Sequence, residues 1–326
     1  LWGESRDKMP SGQPRSGVES ASRRAAMLKR AREFFEHRNV LEVDTPVLSR
    51  YAVSDPQIEN VEVSLQLDPD RPWYLQSSPE YCMKRLLSAG YPDIYEICKV
   101  FRDSEVGRYH QPEFTMVEWY RLNFDLTDIM QDTVEFIECL VNTDPFSRPP
   151  LFLSYADAFS RFADCNPLTA DIETLANLMD ADDRLQSSVG QRRDDWLNAI
   201  FAAKISGRFS TDRLTVIHHY PASQAALARV CPDDSDVADR FEVFAGTLEL
   251  ANGYVELLDP KEHTDRFEAG SPSRRTDREF IAALEHGLPP CAGVAIGFDR
   301  VHMFNEGADD IRQVLTFAFE AGEGNG

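Results

Sequence analysis

Phe101-Arg102-Asp103-Ser104-Glu105-Val106-Gly107-Arg108-Tyr109-His110-Gln111-Pro112-Glu113-Phe114-Thr115-Met116-Val117-Glu118-Trp119-Tyr120-Arg121 decides how this chain is read. Apolar Ile97 to Phe101 leads in, and Phe114 to Tyr120 closes the run with apolar and polar residues in rough alternation. Between them lie Gly107, Pro112, His110 and two arginines. Such a pattern predicts an antiparallel hairpin with a long charged loop at its mouth. Arg102 leaves the first strand where a bidentate guanidinium can grip a phosphate. Phe114 begins the second, where a flat ring can stack on a base. A solvated surface hairpin has the same pattern, so the spacing alone leaves both readings open.

The 326 residues are enough for one large domain or two modest ones, and 42% apolar residues suffice for a core. With 34 basic and 55 acidic residues the formal net charge is −21. A surface of that sign repels phosphate backbones, which argues against a tRNA partner, although a local basic patch remains compatible with it. Cys82, Cys98, Cys139, Cys165, Cys231 and Cys291 are widely spaced without a C-x-x-C pair. That spacing predicts reduced thiols in a cytoplasmic protein and argues against a structural zinc site. No apolar run reaches the roughly 20 residues of a membrane span, and no signal-like segment precedes the fold.

Residues 1–21, rich in Ser, Gly, Pro and charge around Trp2, read as a mobile tail, with one domain expected over 22–326. Ala25, Met27, Leu28, Ala31, Phe34 and Phe35 recur at helical spacing, predicting a helix from Ser22 to Arg38. Val40 to Val47 reads as a strand interrupted by Pro46, and proline suits an edge or interface. After a short strand at Trp73–Gln76, Ser78 is placed at a helix N-cap, Pro79 at the first helical position and Glu80 in the first turn. That helix runs to about Ala89; another is predicted from Leu126 to Val141. Within residues 146–213 further helical stretches are predicted around Tyr155–Phe162, Ile172–Met179 and Trp196–Ile205, with no chemistry assigned to them.

Val216 to Tyr220 predicts a strand. Its His218-His219 pair is read as structural, because adjacent strand residues point to opposite faces. In Glu249-Leu250-Ala251-Asn252-Gly253-Tyr254-Val255-Glu256, Asn252-Gly253 allows a bend or bulge between the carboxylates. Two carboxylates brought together suit Mg²⁺, a hard cation with oxygen ligands; a solvated acidic face fits the same spacing. Residues 259–287 are charged and helical in character, and Gly293 to Arg300 reads as a strand whose end delivers an arginine.

The 101–121 stretch resembles motif 2 of the class II aminoacyl-tRNA synthetases, most closely their lysyl subgroup. Its Arg108-to-Tyr120 run resembles the small lysyl-synthetase paralogues that modify elongation factor P. The first helix with Glu42-Val43-Asp44-Thr45-Pro46 resembles motif 1, the family's dimer interface. Gly293-Val294-Ala295-Ile296-Gly297-Phe298-Asp299-Arg300 resembles motif 3, where glycine allows close approach to the nucleotide. The likeness covers about residues 22–320. It implies an α+β fold, the class II antiparallel β-sheet flanked by helices, in a homodimer. A lysyl-tRNA synthetase carries an anticodon-binding barrel ahead of this core, and the roughly twenty residues here lead to the expectation that no such domain is present.

Carried over residue by residue, the resemblance implies ATP as substrate with Mg²⁺ on Glu249 and Glu256. Arg102 meets the α-phosphate, Arg300 the γ-phosphate, His110 the pyrophosphate and Phe114 the adenine. Asp103, Ser104, Gln111, Leu250 and Gly297 complete the nucleotide site. Ser78, Pro79, Glu80, Glu118, Tyr120, Glu256 and Ala295 form the amino-acid pocket, acidic enough for lysine or (R)-β-lysine with its two ammonium groups. Two departures stand out. Ser104 replaces a glutamate that reads the adenine amino group, weakening that contact or shifting it to Glu105. Ala295 replaces the glycine of lysyl-tRNA synthetases, as in the factor-modifying paralogues. The implied activity is activation of the diamino acid as an adenylate and transfer to a lysine of elongation factor P. Alternatives are a truncated synthetase charging tRNA, a regulatory paralogue without catalysis, and an asparagine-type ligase, which the acidic pocket disfavours.

Overall fold

The computed structural model describes residues 14–55, 58–141, 146–270 and 274–319. The chain opens with α1 (Val18–Glu36), two short strands β1 (Leu41–Glu42) and β2 (Leu48–Ser49), and the hairpin β3 (Glu62–Leu65) and β4 (Asp68–Leu75). Next come α2 (Glu80–Ser88), β5 (Ile94–Phe101), β6 (Glu113–Leu122) and α3 (Leu126–Leu140). β7 (Leu151–Ser154) precedes α4 (Tyr155–Ala163), α5 (Ile172–Leu178), α6 (Asp183–Val189) and α7 (Arg193–Ile200). The rest comprises β8 (Leu214–Pro221), β9 (Val230–Cys231), β10 (Asp234–Ala245), β11 (Leu248–Val255), α8 (Pro260–Gly270), α9 (Arg278–Gly287), β12 (Cys291–Gly297) and α10 (Phe298–Asn305).

One sheet runs β1-β5-β6-β12-β11-β10-β8-β7, with β9 beside β10; only β1–β5 and β7–β8 pair in parallel. The architecture is the expected α+β one. β5 and β6 form the hairpin read from residues 101–121, Ile97 facing Val117 and Phe101 facing Glu113. Because successive strand residues point to opposite faces, the register sorts the sequence into two surfaces. Val117, Trp119, Val294, Ile296, Phe241 and Val243 fall on one, buried in a single apolar cluster with α1 and α3. α1 contributes Met27, Ala31, Phe34 and Phe35 at helical spacing. Phe35 stacks on Tyr95 at 4.1 Å, and the Trp119 Nε1–H donates to Asp132 Oδ2 at 3.0 Å. The other surface aligns Glu96, Glu118, Ala295, Asn252 and Glu242 across five strands.

Several local expectations are corrected. α1 starts at Val18, not Ser22; just before it the Arg15 N–H donates to Thr316 O at 2.8 Å and Ser16 is buried. The chain is therefore anchored before residue 21, and the rest of the expected tail, Trp2 included, lies outside the described residues. Val40 to Val47 pairs only at Leu41–Glu42; Pro46, without a ladder donor, separates it from β2. The helical stretches expected within residues 146–213 are α4, α5 and α7; the strand β7 ahead of them, which closes the sheet edge against β8, was not expected. The bulge expected at Asn252-Gly253 lies earlier: Ala251 faces Val243 and Glu249 faces Phe244, leaving Leu250 as the extra residue. Gly253 answers a different need. A Cβ there would sit 2.5 Å from the Phe241 ring and 2.8 Å from the Gly293 carbonyl. Gly253→Ala should therefore lower stability by about 1–3 kcal/mol through overpacking, read from chemical denaturation midpoints.

Candidate active site

The polar face of the sheet floors a cavity of about 720 Å³. At one end, α2 places an acidic and a basic side chain one turn apart. Lys84 Nζ lies 2.6 Å from Glu80 Oε1 and 2.5 Å from Glu256 Oε2, with Lys84 and Glu256 both almost completely buried. Beside them the Ser78 hydroxyl donates to Glu118 Oε2 and the Tyr120 hydroxyl to Glu118 Oε1, each at 2.7 Å. Ser78 Oγ also accepts the Glu80 N–H at 3.0 Å. Pro79, not Ser78, occupies the N-cap position of α2, so the serine caps from one residue further out. Gly293 makes room here rather than beside a nucleotide: a Cβ would meet the Tyr120 ring at 2.4 Å and Glu256 Oε1 at 2.8 Å.

Three carboxyl groups thus surround one ammonium. Burial opposes the charge on Lys84, but Glu256 and Glu80 outweigh it and raise its pKa. Burial, then the charge of Glu80, pushes Glu118 up from 4.5 to about 8. Burial also pushes Glu256 up to about 7, with Lys84 opposing and Glu80 adding to the rise. Glu256 Oε1 is buried without a hydrogen-bond partner. A surplus of buried acid and an unsatisfied oxygen are stabilised by a ligand that brings ammonium groups.

The other end is cationic. Arg102 follows β5, its N–H held by Pro112 O at 2.9 Å, and its guanidinium lies 5.2 Å from the Phe114 ring centre and 3.7 Å from Glu105. Its Nε is buried without a partner. Arg300 stands in the first turn of α10 rather than at the end of β12. It donates to Glu249 O at 3.0 Å and to the Tyr109 carbonyl, and lies 3.6 Å from the Glu249 carboxylate. Its Nη2 meets His110 Nε2 at 2.7 Å. Partial desolvation and then the Arg300 charge hold His110 below its ordinary pKa, so a neutral ring accepts from the guanidinium.

Of the residues singled out in the sequence, Ser78, Glu80, Arg102, His110, Gln111, Phe114, Glu118, Tyr120, Glu249, Leu250, Glu256, Ala295, Gly297 and Arg300 line this one cavity. Pro79, Asp103 and Ser104 do not; the latter two are exposed, with Ser104 in a left-handed backbone at φ 62° and its N–H held by Asp103. Glu105 lines the cavity in their place. The two carboxylates expected to share a metal answer to different cations, Glu249 to Arg300 and Glu256 to Lys84. Lys84 itself was missed, although its spacing of four from Glu80 is legible on a helix. So was a buried network in which Tyr220 donates to Glu242 at 2.7 Å and Arg240 pairs with Glu242 at 2.7 Å. Tyr155, Asn198 and Phe201, from the segment to which no chemistry was assigned, also line the cavity.

An antiparallel sheet with two arginines and a motif-ordered carboxylate pocket on one face defines a class II synthetase core. Residues 17–321 match the family model for class II tRNA synthetases (D, K and N), and the chain belongs to that family. A relative from Hamiltonella defensa, an elongation factor P--(R)-beta-lysine ligase, is 40% identical across 94% of this chain and 97% of its own length. Proteins of the same name from Photorhabdus laumondii and Klebsiella pneumoniae are each 38% identical over the same shares. The protein is an enzyme of the ligase class.

The pocket carboxyls set a pH dependence whose sign follows from their raised values. Without ligand, folded Glu118 and Glu256 keep protons that the unfolded chain releases near 4.5, so stability falls as pH rises from there through about 7 and about 8. Glu118→Gln should flatten that fall. Lysine binding near pH 7 should release protons, seen in calorimetry as a heat that changes with buffer ionisation enthalpy.

Proposed function

We propose that the chain activates (R)-β-lysine, or lysine, with ATP and transfers the acyl group to a lysine side chain of elongation factor P. The observation that carries this reading is the surplus of buried carboxylate around Lys84, facing two arginines at the far end of one cavity. A diamino acid supplies the cations that the acidic end lacks. Its carboxylate then lies toward Arg102, where it attacks the α-phosphorus of ATP; the bond to pyrophosphate breaks and an aminoacyl-adenylate forms. Arg102 neutralises charge on the α-phosphate, Arg300 with neutral His110 holds the leaving phosphates, and Phe114 stacks on adenine. No covalent enzyme nucleophile enters: alignment and preorganised charge carry the step. An ε-amine of the acceptor then attacks the acyl carbon and AMP leaves.

Glu249 offers carboxylate oxygens beside Arg300 at the cationic end of the cavity, where it would hold Mg²⁺ together with phosphate oxygens and water, while Glu256 stays with Lys84. That ion would supply charge neutralisation between ATP phosphates. Exposed Leu41 and Val47 in the motif 1 segment favour a homodimer through that segment. Six unpaired thiols fit a reducing, cytoplasmic setting. Among the described residues no helix is long and apolar enough to cross a membrane.

ATP–pyrophosphate exchange with each lysine isomer, followed by transfer assays with elongation factor P and with tRNA, tests the proposal. Exchange supported by (R)-β-lysine with acylation of the factor is expected; acylation of tRNA alone, or no exchange with any isomer, overturns it. Arg300→Ala should lower exchange on the order of 10²–10³-fold. In register Ala295 lies between Glu118 and Asn252, so Ala295→Gly should shift the preference between lysine and its β-isomer by roughly 10-fold or more in kcat/KM.

A further inference from the structure

β8 and β10 lose register between Ala238 and Phe241, and His219 at that break takes a left-handed backbone with φ 55°. The two histidine rings, expected on opposite faces, therefore meet with Nδ1 atoms 2.6 Å apart. Among the described residues, one group brings nitrogen, sulfur and oxygen donors within 4.8 Å of one another: His219 on β8, Cys231 on β9 and Asp239 on β10. None of the three lines the active-site cavity. We propose that this corner is a binding site for one zinc-type divalent cation, with His219 Nε2, Cys231 Sγ and Asp239 Oδ1 as ligands and water in the fourth position.

Each ligand is already held in the way a bound ion requires. His219 Nδ1 is occupied by His218, which leaves Nε2 directed at Asp239 Oδ1, 3.7 Å away. Metal-bound histidines have their second nitrogen fixed in this manner. Asp239 is buried, and its other oxygen accepts the Arg229 Nε–H at 2.7 Å, so one carboxylate oxygen remains for the cation. His219 and Cys231 are half-buried, which leaves a path for the ion and room for water. A sulfur donor beside nitrogen and oxygen selects zinc over magnesium or calcium. Zinc bonds of roughly 2.0–2.3 Å would draw the donors closer by about 1 Å, within reach of side-chain rotation. Thiolate and carboxylate together balance the two positive charges.

The position suggests what the ion does. Arg229 N–H donates to Val255 O at 2.9 Å and Ala228 bridges to Glu256, so the strands joined by the cation carry Tyr220 and their β9 end abuts Glu256 just past β11, both residues lining the cavity. A cation here pins the irregular corner behind the amino-acid pocket.

The test uses the full chain, stripped with a chelator and titrated with Co²⁺ and then Zn²⁺ in the absence of ATP. One equivalent of Co²⁺ should bind with a thiolate-to-metal charge-transfer absorption, and Zn²⁺ should displace it. Cys231→Ser, a near-isosteric change at a half-buried position, should abolish that absorption. Asp239→Asn and His219→Ala should weaken Zn²⁺ binding by about 10-fold or more. Cys82→Ser, on α2, should leave binding unchanged. No stoichiometric Co²⁺ binding by the wild-type chain, or an absorption that survives Cys231→Ser, overturns the proposal.

Discussion

The buried contact of Lys84 with Glu80 and Glu256 is the constraint around which the functional end of this molecule is arranged. An ammonium with no solvent exposure is tolerable only because two carboxylates meet it; removing one partner of such a group commonly costs about 3–5 kcal/mol. The same contact leaves acid in excess, since Glu118 joins the pocket with only hydroxyl donors, Ser78 and Tyr120, on its oxygens. The pocket is thus stable enough to form without ligand, yet electrostatically incomplete. Its surplus of acid and its raised carboxyl pKa values are two expressions of that one imbalance.

The sheet makes this arrangement compatible with a dry core. Trp119 and Glu118 are neighbours in the chain, but the pleat sends one into the aromatic cluster with Phe35 and Phe136 and the other into the cavity. β12 does the same with Val294 and Ala295. Every strand from β6 to β10 therefore carries packing and chemistry in alternate residues, and the rigidity of the packed side holds the reactive side in place. The guanidinium end is fixed more by backbone than by charge: carbonyls of Tyr109 and Glu249 take two of the Arg300 donors, and Pro112 O holds the start of the Arg102 loop.

Much of this was legible in residues 101–121. Period-two alternation specified the hairpin, and the charge at its mouth marked Arg102 and His110, which the structure places at one cavity. α1 and α3 were equally readable, because an amphipathic repeat needs only local sequence. What stayed hidden involved partners far apart in the chain. The Leu250 bulge depends on which β10 residues face β11, and nothing near Asn252-Gly253 reports it. The meeting of His218 and His219 depends on a backbone break forced by pairing with β10, so the rule for regular strands pointed the wrong way. Tyr155, Asn198, Tyr220, Arg240 and Glu242 reach the cavity through the fold of residues 146–245, which carry no local signature of it.

By itself, the sequence determined the helices α1 and α3, the central hairpin and the sheet class, because spacing and residue type encode those over a few neighbouring positions. Tertiary structure alone decided which carboxylates share which cation. Glu80, Glu118 and Glu256 are separated by 38 and 138 residues in the chain, and only the strand register and the seating of α2 bring them around one ammonium. Electrostatic energy depends on distance through space and on burial, and neither quantity is written along the chain.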